Sequence, residues 1–148
     1  MLPNSNFFFT RIKPLVVPNK SLFFSGPGDF KLTAKKYAVK YDLKVITDFA
    51  DPTLTWEATN AGAEVLHEYW RRLSLAYAQA SSGRAFVLLP DDPLLGTTWY
   101  KGTIWDEVEW PLLRKSSAIS EILRTNTLLT PTQGLNIKPT WSTPPRHL

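Results

Sequence analysis

The stretch Ser21-Leu22-Phe23-Phe24-Ser25-Gly26-Pro27-Gly28-Asp29 decides the fold. Leu22-Phe23-Phe24 is a compact apolar run without polar alternation, which reads as a buried strand. Gly26-Pro27-Gly28 stops it, and Asp29 is suited to cap a following helix. From Phe30, apolar or small residues recur at Ala34, Tyr37, Ala38 and Tyr41, which is helical spacing. Lys31, Lys35, Lys36, Lys40 and Lys44 fall on the other side and read as a solvated face.

Outward from this unit, Val45-Ile46 is a second short strand candidate, ended by residues 48–52. Residues 49–60 read as a loop carrying Trp56. A stronger helix starts near Asn60, with Leu66, Tyr69, Trp70, Leu73, Tyr77 and Ala80 on one stripe. Ser81-Ser82-Gly83 ends it, Gly83 being suited to a left-handed turn. Residues 85–89 form a buried strand closed by Pro90, and residues 91–101 a turn-rich loop. Residues 103–110 alternate, with Trp105, Glu107 and Glu109 on one face and Asp106, Val108 and Trp110 on the other, so they read as a strand. Residues 118–123 are a last strand. The first 20 residues, with Pro3, Pro14 and Pro18, read as an arm holding at most one short strand. The last 24, 125–148, read as a proline-rich tail. This order predicts an α/β fold: a short central, mostly parallel sheet of about four strands with flanking helices, its core spanning residues 21–124.

Composition removes many chemistries. The chain has 148 residues, 17 Lys plus Arg against 13 Asp plus Glu, no cysteine, six tryptophans and two histidines, His67 and His147. Without cysteine there is no disulfide scaffold, zinc–thiolate site, iron–sulfur centre or thiol nucleophile. Two histidines make a multi-histidine metal site an unsuitable expectation. The net charge of +4 favours anionic ligands without choosing among them. No apolar run is as long as the ~18–20 residues of a membrane span, and the first residues lack a signal-peptide pattern. The reading therefore expects no metal and no membrane span.

P-loop, GxGxxG, GxSxG and HExxH motifs are all missing. Ser25-Gly26-Pro27-Gly28 has the form of a phosphate-binding turn, and equally of an ordinary strand-to-helix turn. Glu109 beside Trp105 offers a carboxylate shielded by a ring, which suits a cationic intermediate; two glutamates on one strand face also suit plain solvation. Trp70 and Ser74 stand one helical turn apart, so they could hold a flat ring and a sugar or simply belong to the core. His67 and Glu68 would suit a small basic ribonuclease, but as helix neighbours they point apart.

Three blocks in order resemble the ADP-ribosyl cyclase and NAD glycohydrolase family. Leu22-Phe23-Phe24-Ser25-Gly26 is similar to the family's Leu-Phe-Trp-Ser-Gly. Tyr69-Trp70-Arg71-Arg72-Leu73-Ser74, leading to Tyr77-Ala78 and Ser82-Gly83, is similar to its Phe-Trp-x-x-x-Ser block. Trp105-Asp106-Glu107-Val108-Glu109-Trp110-Pro111-Leu112 is similar to its Phe-Gly-x-x-Glu-Leu-Pro-x-Leu block. The resemblance implies an ADP-ribosyl cyclase-like fold. It puts Glu109 at the catalytic glutamate and Trp70 at the ring that stacks on nicotinamide. Phe24 would be a second aromatic wall, Ser74 the serine near the ribose, and Ser25 and Trp105 pyrophosphate contacts. Two departures stand out. The family's Thr-Leu-Glu-Asp-like segment is Val45-Ile46-Thr47-Asp48 here, so its acidic position falls on Thr47 or, after a one-residue shift, on Asp48. Trp105-Asp106 also replaces the usual Phe-Gly.

The resemblance implies cleavage of the nicotinamide–ribose bond of NAD, or of NADP, to nicotinamide and ADP-ribose, with cyclic ADP-ribose as a further product. Hydrolysis is favoured because compact, cysteine-free relatives act as NAD-depleting toxins. That implies a secreted or delivered effector working in a target-cell cytoplasm, a cognate immunity protein as a partner, no cofactor beyond NAD as substrate, and no nucleic acid. The rival expectations are a ribonuclease using His67, Glu68 and Arg71 or Arg72, and a non-catalytic nucleotide-binding module. Trp56, Trp99, Trp110 and Trp141 are assigned to packing.

Overall fold

The computed structural model describes residues 2–90, 99–139 and 146–147. Along it run α1 (Ser5–Ile12), β1 (Ser21–Phe24), α2 (Phe30–Tyr41), α3 (Pro52–Ala61), α4 (Ala63–Ala80), β2 (Gly83–Leu88), β3 (Trp99–Tyr100), α5 (Trp110–Lys115), β4 (Ile119–Thr125), β5 (Leu135–Asn136) and β6 (Arg146–His147). The sheet order is β1-β2-β4-β5. β1, β2 and β4 are parallel, pairing Leu22 with Phe86 and Phe86 with Leu123, and β5 closes the edge antiparallel to β4. β3 and β6 form a separate parallel pair. The chain is thus mixed α/β, with a four-stranded, mostly parallel sheet and flanking helices.

The apolar runs are unbroken because both sheet faces are covered. Leu22, Phe86, Leu88 and Leu123 pack with Ala34, Tyr37 and Ala38 of α2. Their neighbours Phe23, Ala85, Val87 and Ile122 pack with Tyr69, Leu73, Ala76 and Tyr77 of α4, and with Phe8 and Ile12 of α1. Each fully buried Leu or Phe contributes roughly 1.5–3 kcal/mol relative to exposure. Gly83 follows α4 at φ +72°, where an added Cβ would also run into the Asn19 side-chain amide. That amide oxygen accepts from the Arg84 N–H at 2.7 Å, which leaves glycine as the fitting residue.

Several local expectations are corrected. Residues 103–110 are not a strand: a π-helical turn, Trp105–Glu109, runs directly into α5. Pro111 accounts for the widening, since its ring crowds the carbonyl four residues back and it has no N–H to donate. Val45-Ile46 is not a strand either; Ser21 bridges to Lys44, and a 3₁₀ turn, Ile46–Phe49, follows. The supposed loop of residues 49–60 holds α3, capped by the Asp51 carboxylate, which accepts from the Leu54 N–H at 3.0 Å, with Pro52 at the first helical position. The first residues hold a helix rather than a strand, capped by Asn4. Residues 131–137 pack on β4, burying Ile137. Asp29 occupies the cap position of α2 without a side-chain cap bond. Trp99 and Trp110 are buried as expected, but Trp56 is 68% exposed; Trp141 and most of the 91–101 loop lie outside the described residues.

Candidate active site

Three elements of the core converge on one cavity of about 290 Å³. It opens at the carboxyl end of β1, where ligand clefts of parallel sheets form. β1 and the turn after it supply Phe24 and Ser25. α4 supplies Trp70, Ser74 and Tyr77, at i, i+4 and i+7 on one face. The π-helical turn supplies Trp105 and Glu109. Thr47 enters from the 3₁₀ turn and Lys31 from α2. Phe24, Ser25, Trp70, Ser74, Trp105 and Glu109, far apart in sequence, are therefore brought together.

Asp48, the other residue predicted for the site, does not line the cavity. Its side chain pairs with Lys35 and accepts from the Val45 N–H at 2.8 Å. It holds the 3₁₀ turn in place, and Thr47 takes the lining position.

Glu109 is 5% exposed. Burial penalises its charged form and raises its pKa from 4.5 to about 8, against the Ser74 hydroxyl, which favours the anion as a hydrogen-bond donor. Tyr77 is wholly buried beside it. Desolvation drives its phenol pKa up, and the nearby Glu109 charge adds to the rise. The Tyr77 hydroxyl donates to the Lys44 carbonyl at 2.8 Å.

The walls are aromatic. Trp70 is half-buried and stands edge-on to Tyr69 at 5.0 Å, leaving it at the cavity wall. Trp105 is buried in a cluster with Trp99, Trp110 and Phe23, at 5.6, 6.0 and 6.1 Å between ring centres. The Trp105 indole N–H is buried and meets no acceptor among the described residues. The Trp99 N–H, by contrast, donates to Asp106 at 3.0 Å. A flat, cationic group would find here what water denies it: ring faces, low polarity and one carboxylate.

Sequence reasoning missed Tyr77, which it took as stripe packing, and Lys31, which it took as part of a solvated face. Helix position alone carried no signal for either. His67 is exposed on α4, and Glu68 is paired with Arg72 at 2.9 Å, so the residues of the ribonuclease rival do not line this cavity. Among the described residues, no group of three or more His, Asp or Glu is placed to hold a metal ion, and no helix is long and apolar enough to cross a membrane.

Comparisons with protein-family models, with curated proteins and with solved structures give no match to this chain.

Proposed function

We propose that the protein is an NAD glycohydrolase, cleaving the nicotinamide–ribose bond to give nicotinamide and ADP-ribose, on an ADP-ribosyl cyclase-like fold. The observation that carries this reading is a single buried carboxylate, Glu109, sharing an apolar cavity with Trp70, Trp105 and Ser74. Nicotinamide in NAD is already cationic and leaves as a neutral base, so the reaction needs no metal and no strong acid. It needs stacking on the departing ring, exclusion of water and negative charge beside the sugar as it becomes oxocarbenium-like. Trp70 supplies the stack and Glu109 the charge.

The raised pKa of Glu109 fits the same scheme. The carboxyl is largely neutral at pH 7, because desolvation of the buried anion outweighs the Ser74 hydrogen bond. A pyridinium ring entering the cavity favours the ionised form, so substrate binding draws a proton off Glu109. The charge is then present only when a cation is there to meet it. Water as acceptor gives ADP-ribose; attack by the adenine ring gives the cyclic product. Lys31 at the mouth is suited to the substrate's phosphates.

The test is incubation of purified protein with NAD, following nicotinamide by chromatography and resolving linear from cyclic ADP-ribose. Trp70→Ala should abolish release while the fold melts cooperatively. Degradation of RNA with NAD left intact, or NAD binding without turnover, would replace the proposal with one of its rivals.

A further inference from the structure

Asp106 has no counterpart in the resemblance, where glycine stands at its position, and it is not a wall of the cavity. It is nonetheless 4% exposed. One carboxylate oxygen accepts from the Trp99 indole at 3.0 Å, and the other from the Gly102 N–H at 3.0 Å. Its own N–H donates to the Thr103 hydroxyl at 3.2 Å. These bonds tie three positions of the incoming segment to the second residue of the π-helical turn. Gly102, at φ +82°, makes the turn that brings its N–H onto the carboxylate. Trp99, so held, packs edge-on against both Trp105, which begins that turn, and Trp110, which follows Glu109 at its end. Thr103 and Ile104 then join Trp105 and Glu109 in the cavity wall.

We infer that Asp106 is a positioning residue: its carboxylate clamps the 99–103 loop to the π-helical turn and thereby fixes where Trp105 and Glu109 stand in the cavity. The clamp acts on the reaction only if the NAD-cleaving reading holds; its effect on Glu109 itself does not depend on that reading. A carboxylate with both oxygens engaged fixes two directions at once, which a one-sided hydrogen bond does not. Small displacements of an oriented catalytic group cost on the order of 10²-fold in rate.

Two variants separate positioning from folding. Asp106→Asn keeps the shape but turns an amide N–H₂ toward one of the two donors. Trp99→Phe keeps the Asp106 charge and a six-membered ring in the cluster, and removes the five-membered ring with its N–H donor. Each should lower kcat for nicotinamide release by about tenfold, with KM within about twofold, because the group displaced acts on the transition state. A second readout needs no turnover: ¹³C titration of the Glu109 carboxyl. The groups around Glu109 are Ser74 and Tyr77 of α4, Lys31 of α2, and Asp106 and Glu107 on its own turn, the latter facing Arg71; Asp106→Asn itself removes one of these charges, so the midpoint is judged on Trp99→Phe, which changes none of them. The Glu109 midpoint should fall from about 8 toward the ordinary carboxylate range as the loosened turn admits water. Should Asp106→Asn not fold, Trp99→Phe carries both measurements. Unchanged kcat together with an unchanged Glu109 midpoint would overturn the inference. If the parent protein releases no nicotinamide, the NAD reading fails, and the midpoint alone decides: fallen supports the clamp, unmoved overturns it.

Discussion

Glu109→Gln should make the protein more stable at alkaline pH and much slower at releasing nicotinamide. The carboxyl has an ordinary pKa of 4.5 and one of about 8 in the folded cavity. Because the folded value is the higher, the unfolded chain loses its proton first as pH rises. Stability is therefore greatest below 4.5, falls between 4.5 and about 8, and levels off above. Each step of one in pKa is worth about 1.4 kcal/mol, so the whole gap amounts to about 5 kcal/mol. That is a ceiling, since water entering through the cavity mouth relieves part of the burial. Glutamine has the same shape and never ionises, so its curve lacks this fall. For a chain of this size each kcal/mol moves the melting midpoint by about 3 °C. Near pH 9 the Gln variant should melt roughly 5–10 °C above the parent; near pH 5 the two should coincide. Nicotinamide release should drop by ~10²–10³, the usual loss when a charge-stabilising group is removed. Thermal melts across pH, by circular dichroism, measure the first effect and chromatography the second. Parallel melting curves for parent and variant would refute the reasoning, because a group that is buried and loses its charge-state penalty must show it. Full activity in the variant would refute the catalytic assignment separately.

Ser74→Ala removes the donor that holds the Glu109 pKa down, so the midpoint should rise beyond about 8. The rising limb of kcat/KM against pH should move with it, with a loss of ~10-fold near neutrality, since a hydrogen bond to a charged group is worth about 1.5–3 kcal/mol. Thr47→Glu puts a carboxylate at the wall position where the resemblance expects one. It should raise the share of linear over cyclic product by activating water, an effect typically ~10²-fold for a general base and read directly from the chromatogram. Asp48→Asn should leave that ratio unchanged, costing about 1 kcal/mol in urea denaturation by weakening the cap of the 3₁₀ turn.

The parallel sheet was legible because both its faces are buried. Leu22-Phe23-Phe24 and residues 85–89 carry no polar alternation to confuse with a hairpin, and the α4 stripe is long enough to state its period. Residues 103–110 misled for a definite reason. A tryptophan and carboxylates on each of two alternating faces read as a period of two, whereas the buried Asp106 and Glu109 lie three apart on a helical turn. Read with Glu109 inward, Trp105, Val108, Glu109, Leu112 and Leu113 follow i, i+3, i+4, i+7 and i+8, with Asp106 buried beside them at i+1. The failure lies at the candidate site, since a sequence that buries carboxyl groups breaks the rule on which patterning rests. The missed α3 is different: Asp51-Pro52 is a helix-start signal that polar, Thr-rich composition overrode. The choice between Thr47 and Asp48 could not be made from sequence. It turns on which of two adjacent side chains a tight turn points inward, and Lys35, thirteen residues upstream, holds Asp48 away.

Two buried carboxylates three residues apart, Asp106 and Glu109, have opposite surroundings, and the contrast explains how one short turn can be both anchor and site. Asp106 spends both oxygens on fixed N–H donors, so its charge is matched within the protein and has nothing left to give a ligand. Glu109 has the Ser74 hydroxyl against a full desolvation penalty, so it stays short of partners and responds to whatever enters the cavity. The two indoles divide in the same way: Trp99 donates to Asp106, while the Trp105 N–H meets no acceptor among the described residues. An unpaired buried donor is worth about 1–3 kcal/mol of unrelieved desolvation. A ligand that brings an acceptor oxygen to Trp105 and a cation to Glu109 relieves both at once. Trp105→Phe keeps a six-membered ring but deletes the five-membered ring with its N–H, so it should weaken ADP-ribose binding, measured by calorimetry, by about 5–10-fold, at a stability cost of about 1–3 kcal/mol for the space left in the core. Affinity equal to the parent's would mean that this donor never faces the ligand, and that the cavity's selectivity rests on Glu109 and Trp70 alone.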